Sequence, residues 1–278
     1  MSQDKPLFIV TGATGSIGKV IAANLATQGK AVVLACRNID RAQALAKDLA
    51  NATKNNDITA LKLDLSSFAG VRAFVKSLRQ LNRPVAALVN NAGTMERHSK
   101  VSDDGFELTI QVNYLSTALL SLLVAPLIEP KGMVLFTTSV MRNFCSIPAG
   151  FPSVENFSQL MTYSRSKLAL TLFSIYLSTT LKNSEVRVNC VDPGIVDTNM
   201  LTMNRWFDSI ANIAFRPFVK KPIEGAACTM KALESDTTGM VFSSKDTHRA
   251  SEWLKDKDVF VRLLNDTLRR IKPEMKMD

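Results

Sequence analysis

Six short apolar runs recur along the chain, at 7–10, 31–35, 58–63, 85–89, 133–137 and 186–191, and many of their residues are β-branched. Continuous apolar runs of this length suit strands buried on both faces, as in a parallel sheet. Between them lie helix-like stretches at 16–28, 38–54, 67–81, 105–128 and 160–182. Strand, helix, strand at this rhythm predicts an α/β fold: a single-domain, Rossmann-like, doubly wound parallel sheet with helices on both faces. A later run, 239–242, would close the far edge and bring the sheet to about seven strands. No repeat or proline-rich linker breaks the 278 residues, so one domain spanning 1–278 is expected.

Two segments interrupt the rhythm. One is the loop 141–158, with Pro148, Gly150 and Pro152. The other, 199–222, holds Trp206, Phe207, Ile210, Ile213, Phe215 and Phe218. Both follow late strands and so should hang over the carboxyl edge of the sheet, where open α/β sheets bind ligands. The second segment has three readings: a substrate lid, a subunit interface, or a membrane-surface contact through 205–221, where Arg205, Arg216, Lys220 and Lys221 flank the apolar residues. The stretch 250–271 reads as a C-terminal helix with Trp253, Phe260, Leu264 and Leu268 near one face, for core or subunit packing.

Charge narrows the partners. The net charge of +9 favours anions, but the 34 basic residues are interleaved with 25 acidic ones and form no basic stripe with aromatics. Nucleic acid is therefore not expected. The four cysteines, Cys36, Cys145, Cys190 and Cys228, are far apart, and there are only two histidines. This predicts reduced, mostly buried thiols, no disulfide framework and no metal site. The N-terminal MSQDKPLF carries no long apolar signal region, and the uncharged stretch 114–128 is shorter than a span of ~20 residues. That stretch reads as a buried core helix, and a cytoplasmic protein is expected.

The first strand ends in Thr-Gly-Ala-Thr-Gly-Ser-Ile-Gly, residues 11–18. Glycines here permit a sharp turn and close backbone approach, and the helix that follows points free N–H groups and a positive dipole end over the strand. The turn residues Gly12, Thr14, Gly15, Ser16, Ile17 and Gly18 are thus the expected site of a dinucleotide pyrophosphate. NAD-type units place a carboxylate at the end of the second strand, for the ribose 2′-hydroxyl. Here Arg37 stands there. A guanidinium would bind a 2′-phosphate by charge-assisted hydrogen bonds, which favours NADP(H) over NAD(H). The plainer reading of Arg37 is a solvated surface residue. Lys19 either adds charge to the same pocket or faces solvent.

Tyr163 and Lys167, spaced i and i+4, share one helix face. An ammonium near a phenol favours the phenolate and lowers its pKa from ~10, which would make a general acid/base. Asn90-Asn91-Ala92-Gly93, Ser139 and Pro193-Gly194 fall at the ends of later strands, and Asn113 lies in an intervening helix.

These motifs, in this order, resemble the short-chain dehydrogenase/reductase family along nearly the whole chain. Ala35-Cys36-Arg37-Asn38, Asp64-Leu65-Ser66-Ser67 and Asp103-Asp104-Gly105-Phe106-Glu107 look most like its retinol dehydrogenase branch. The resemblance implies that Tyr163 exchanges the proton of the substrate oxygen and that Lys167 tunes the tyrosine and holds the nicotinamide ribose. Ser139 would position the substrate oxygen, and Asn113 would hold a relay water. It also implies that Asp64 and Leu65 contact adenine, that Asn90, Ala92 and Gly93 line the central cofactor pocket, and that Pro193, Gly194, Val196 and Thr198 hold the nicotinamide end. Asn91 reads as structural. The family's commonest turn has glycine at the position of Ser16; here glycine stands at 15 instead, a spacing like that of the family's longer branch.

The implied activity is hydride transfer between NADP(H) and a hydrophobic alcohol or carbonyl: retinoid, steroid, long-chain or aromatic. A homodimer or homotetramer through 105–128 and 160–182 is implied too, against burial of those helices within the monomer. The alternative function is a catalytically silent NADP(H) sensor, although such members usually lose the tyrosine or lysine that this chain keeps.

Overall fold

The computed structural model describes residues 5–153, 156–194 and 221–276. Eight strands form one sheet: β1 (Leu7–Thr11), β2 (Ala31–Cys36), β3 (Ile58–Lys62), β4 (Val85–Asn90), β5 (Ile128–Thr137), β6 (Arg187–Asp192), β7 (Met240–Ser243) and β8 (Thr247–Arg249). Their order is β3-β2-β1-β4-β5-β6-β7-β8, parallel except for the last pair. The short antiparallel β8 was not foreseen: it has three exposed polar residues and no apolar run to betray it.

Alternate residues of each strand feed two cores, as the two-residue period requires. Ile9, Val33, Leu88, Val134 and Val188 pack on one face. Val10, Val32, Leu34, Val89, Leu135 and Val191 pack on the other. Because the strand order reverses between β1 and β4, the connections that follow them leave toward opposite faces of the sheet and open the crevice where such sheets bind ligands.

Two of the helices that follow the early strands begin where a side chain satisfies a free N–H group. Asn38 caps α2 (Ile39–Thr53) by accepting from Arg41 N at 2.9 Å, and Ser67 caps α3 (Phe68–Arg79) by accepting from Gly70 N at 3.1 Å. The expected single helix over 105–128 is instead α4 (Leu108–Ile110), a π-helical turn (Gln111–Leu115), α5 (Ser116–Val124) and a 3-10 turn (Ala125–Leu127) holding Pro126. Strand β5 begins directly after it. The stretch Leu108–Leu127 is long and apolar enough to cross a membrane, but most of it is buried inside the fold.

α6 (Gln159–Thr180) lies beside it. A helix that begins at the last residue of the expected lid and runs beyond it, α7 (Pro222–Leu233), was not anticipated; Pro222 starts it, as proline does at a first helical position. The expected helix over 250–271 divides into a 3-10 turn (Ala250–Trp253) and α8 (Lys257–Ile271), because Asp256 caps a new start by accepting from Asp258 N and Val259 N.

Helix α8 covers the face expected to carry subunit contacts. Tyr114 is fully buried and its hydroxyl lies 2.6 Å from Thr267 Oγ1 beneath α8. Leu263, Leu264 and Ile271 of α8 join the core with Leu119, Leu168 and Phe173. The surfaces of 105–128 and 160–182 therefore meet within the monomer. Cys36, Cys190 and Cys228 are buried and Cys145 is half-buried, in line with the expectation of mostly buried cysteines.

Candidate active site

The glycine turn meets the end of β4 at the crevice. Gly12 has φ +64°, and a Cβ there would sit 2.9 Å from the Cα of Ala92. Gly18 packs helix α1 (Ser16–Thr27) onto the turn: a Cβ would lie 2.4 Å from Gly12 O and 2.7 Å from Asn91 Nδ2. Gly15 is the N-cap of α1 and is exposed, and the helix has neither a side-chain cap nor an acidic residue in its first turn. Uncapped N–H groups and a glycine-lined approach form a cradle that fits an anionic pyrophosphate. Ser16 is exposed in the first turn, with Thr14 and Ile17 half-buried beside it. Gly18→Ala is expected to destabilise the protein by about 1–3 kcal/mol through overpacking, read as a lower urea midpoint.

Asn91 is structural, as expected. Its Nδ2 donates to Thr11 O at 3.0 Å, and Thr11 Oγ1 accepts from Asn91 N and Ala92 N at 3.0 and 2.9 Å. This ties β1 to β4 across the crevice. Asn90 turns inward: Nδ2 donates to Ser121 Oγ at 3.0 Å, and Oδ1 is buried without a partner, for which the structure offers no account. Leu65 also places its side chain in the core. Only the main chains of Asn90 and Leu65 are left for a ligand. Asp64 Oδ1 accepts from Ser66 N and Oγ at 2.9 and 2.6 Å, which fixes the turn after β3. Arg37 is exposed just beyond β2, next to Ala35, whose carbonyl accepts from Gly12 N at 2.9 Å. Lys19 is exposed on α1.

Four elements converge on the second half of the site. Ser139 follows β5 and starts the 3-10 turn Val140–Phe144, accepting from Met141 N at 3.3 Å. Tyr163 and Lys167 come from α6, with Lys167 Nζ 5.7 Å from the Tyr163 ring centroid. Asn113 comes from the π-helical turn. Its Oδ1 accepts from Thr94 N at 2.7 Å, and its Nδ2 donates to Thr94 O and Ser166 Oγ at 2.8 and 3.0 Å. Gly93 sits between: a Cβ there would be 3.3 Å from Asn113 Oδ1 and 3.4 Å from Lys167 Nζ. Pro193 is buried and Gly194, at φ +76°, follows β6. Val196, Thr198 and the expected lid or membrane segment up to residue 220 lie outside the described residues.

The electrostatics correct one expectation. Lys167 does not depress the phenol. Burial pushes Tyr163 up to about 12, with a hydrogen bond from Ser139 pulling down and the Asp192 carboxylate pushing up. Lys167 is itself lowered to about 8 by burial, against the opposing pull of Asp192 and Cys190. Its ammonium donates to Thr137 O at 2.8 Å. The phenol is then protonated at neutral pH and suited to give a proton.

Sequence reasoning missed a buried ion pair at this rim. Arg142 Nη1 lies 2.5 Å from Asp192 Oδ2, and the guanidinium stacks 4.3 Å from the Trp253 ring centroid. Asp192 is visible in the motif Asp-Pro-Gly, but no spacing rule couples it to an arginine fifty positions earlier.

Fold and rim together define a doubly wound α/β protein of the Rossmann-like class. Residues 7–207 match the family model described as short chain dehydrogenase, and the chain belongs to that family. It is 32% identical over 227 residues to human retinol dehydrogenase 12, covering 81% of this chain and 72% of that one. It is 34% identical over 234 residues to mouse polyprenol dehydrogenase, covering 81% and 70%. In fold it is similar to a short-chain dehydrogenase from Sphingobium yanoikuyae in complex with NADPH, with a TM-score of 0.68, 23% identity and coverage of 94% and 96%.

Proposed function

We propose that the protein is an NADP(H)-dependent oxidoreductase acting on a hydrophobic alcohol or carbonyl, with Tyr163 as the acid/base. The carrying observation is the convergence of Tyr163, Lys167, Ser139 and Asn113 from separate elements at the carboxyl rim, beside the glycine cradle. When bound, the nicotinamide supplies or accepts the hydride. Gly12, Thr14, Gly15, Ser16, Ile17 and Gly18 would hold the pyrophosphate. Asp64 and the main chain of Leu65 would hold the adenine. The main chain of Asn90, with Ala92 and Gly93, would line the middle, and Pro193, Gly194, Val196 and Thr198 the nicotinamide end. Ser139 orients the substrate oxygen, and Tyr163 Oη gives it a proton in reduction. Lys167, with a water held by Asn113, would carry the replacement proton; Thr94 and Ser166 fix Asn113.

The phenol is protonated at neutral pH, as a proton donor in the reductive direction must be. Exposed apolar side chains support the substrate class. Phe144 (67% exposed) ends the turn that Ser139 begins, and Leu160 and Met161 precede Tyr163 by two or three residues. The names of the retinol and polyprenol dehydrogenase relatives point to the same class. The free thiols Cys36, Cys145 and Cys190 support action in a reducing compartment, the cytoplasm.

The test is a panel of hydrophobic ketones and aldehydes with NADPH and NADH side by side, followed by absorbance. Turnover with NADPH is expected; tight NADPH binding without turnover across the panel would favour the sensor reading. Arg37→Glu is expected to reduce the preference for NADPH over NADH by about tenfold or more, because it trades a charge-assisted hydrogen bond for repulsion. An unchanged preference would return Arg37 to the surface.

A further inference from the structure

The chemistry above makes no use of Arg142 and Asp192, although both are almost fully buried, at 4% and 6% exposure. The same Nη1 that meets Asp192 Oδ2 also donates to Ser139 O at 2.7 Å. Asp192 Oδ1 accepts from Gly194 N at 2.9 Å. The result is one connected path: Ser139 carbonyl, Arg142 guanidinium, Asp192 carboxylate, Gly194 N–H. The β5–β6 ladder ends at Thr137 and Val191 with a further bond from Thr138 N to Val191 O, and Ser139 and Gly194 lie past it. Trp253 covers the guanidinium and is held by its Nε1 donating to Asn143 Oδ1 at 2.6 Å. A buried ion pair is a poor device for stability, since apolar replacements of similar volume are often as stable. Its use here is geometric.

We propose that the Arg142–Asp192 pair is a positioning clamp that sets Ser139, on the substrate side, against the Pro193-Gly194 turn on the nicotinamide side. The inference rests on the oxidoreductase reading above. Neither residue meets the reacting atoms; each acts through the main chain of another. Hydride transfer is sensitive to such placement, because the reacting atoms must be held in a near-attack geometry. The Asp192 carboxylate also favours the charged form of Lys167, which couples the clamp to the acid/base pair.

The test uses the full chain and three variants. Arg142→Lys keeps the charge but loses the planar fork, and Asp192→Asn keeps an acceptor for Gly194 but loses the charge. The double variant Arg142→Met with Asp192→Leu replaces the pair by apolar groups. Dissociation constants are measured for NADPH and for 2′-phospho-ADP-ribose, which is NADP without its nicotinamide, alongside kcat, KM and the thermal midpoint. Each variant is expected to lose about tenfold or more in kcat. Each should bind NADPH several-fold more weakly while binding 2′-phospho-ADP-ribose like the parent. The apolar double variant should stay impaired even though its thermal midpoint matches or exceeds the parent's. Equal weakening of both ligands, unchanged kcat and NADPH affinity, or restored activity in the apolar double variant would each overturn the clamp. So would failure of all three variants to fold, which would make the pair a stability element. A parent that binds neither ligand would instead sink the oxidoreductase reading, whereas parent turnover lost in Tyr163→Phe but kept in the clamp variants would sink the clamp alone.

Discussion

Tyr163→Phe should lower kcat by about 10²–10⁴-fold, the usual worth of a positioned general acid, while NADPH binding is retained. The substitution removes one oxygen. The ring stays, and with it the surface facing the Lys167 ammonium 5.7 Å from its centroid. What is lost is a phenol held protonated by burial and hydrogen-bonded with Ser139. Neither Ser139 nor Lys167 replaces it. Ser139 is an alcohol already engaged with Met141 N, and Lys167 donates to Thr137 O. The check is a steady-state assay on the best ketone of the panel, with cofactor affinity followed by NADPH fluorescence. Equal turnover in the two proteins would remove Tyr163 from its role.

Lys167→Met should abolish turnover yet stabilise the fold at pH 7. The lysine is buried and its pKa is lowered from 10.5 to about 8, chiefly by the cost of burying the charge. A base with a depressed folded pKa binds fewer protons folded than unfolded between those two values, so parent stability rises with pH across about 8 to 10.5. Below pH 8 both states are charged and the whole penalty is present, about 3 kcal/mol from the size of the shift. Methionine removes that penalty but leaves Thr137 O without its donor, a loss of about 1–2 kcal/mol. A net gain of about 1–2 kcal/mol at pH 7, which shrinks with pH and turns into a loss of about 1–2 kcal/mol near pH 10.5, is the expected result. Urea unfolding of parent and variant at pH 7 and pH 10 checks it. A variant less stable than the parent at pH 7 would show that the Thr137 hydrogen bond outweighs the buried charge.

Much of this protein is decided by local sequence. The strands are legible because burial on both faces demands unbroken apolar runs, and the first helices because each fills the interval between two such runs. Gly12, with its positive φ, and Gly18, with no room for a Cβ, leave no alternative residue type at the crevice. The i, i+4 spacing of Tyr163 and Lys167 needs only helix geometry.

Tertiary structure decided the rest. The π-helical turn that aims Asn113 at Thr94 and Ser166 was not legible, because hydrophobic periodicity does not separate 3.6 residues per turn from a local widening. The interior position of the helices at 105–128 and 160–182 depended on where the chain's last helix would dock. The protonation of Tyr163 went against the spacing argument, because proximity in sequence fixes a distance to the lysine but says nothing of the solvent that burial removes. The link between Ser139 and Gly194 through Arg142 and Asp192 exists only once β5 and β6 lie side by side, since electrostatic pairing depends on distance in space, which sequence separation does not report.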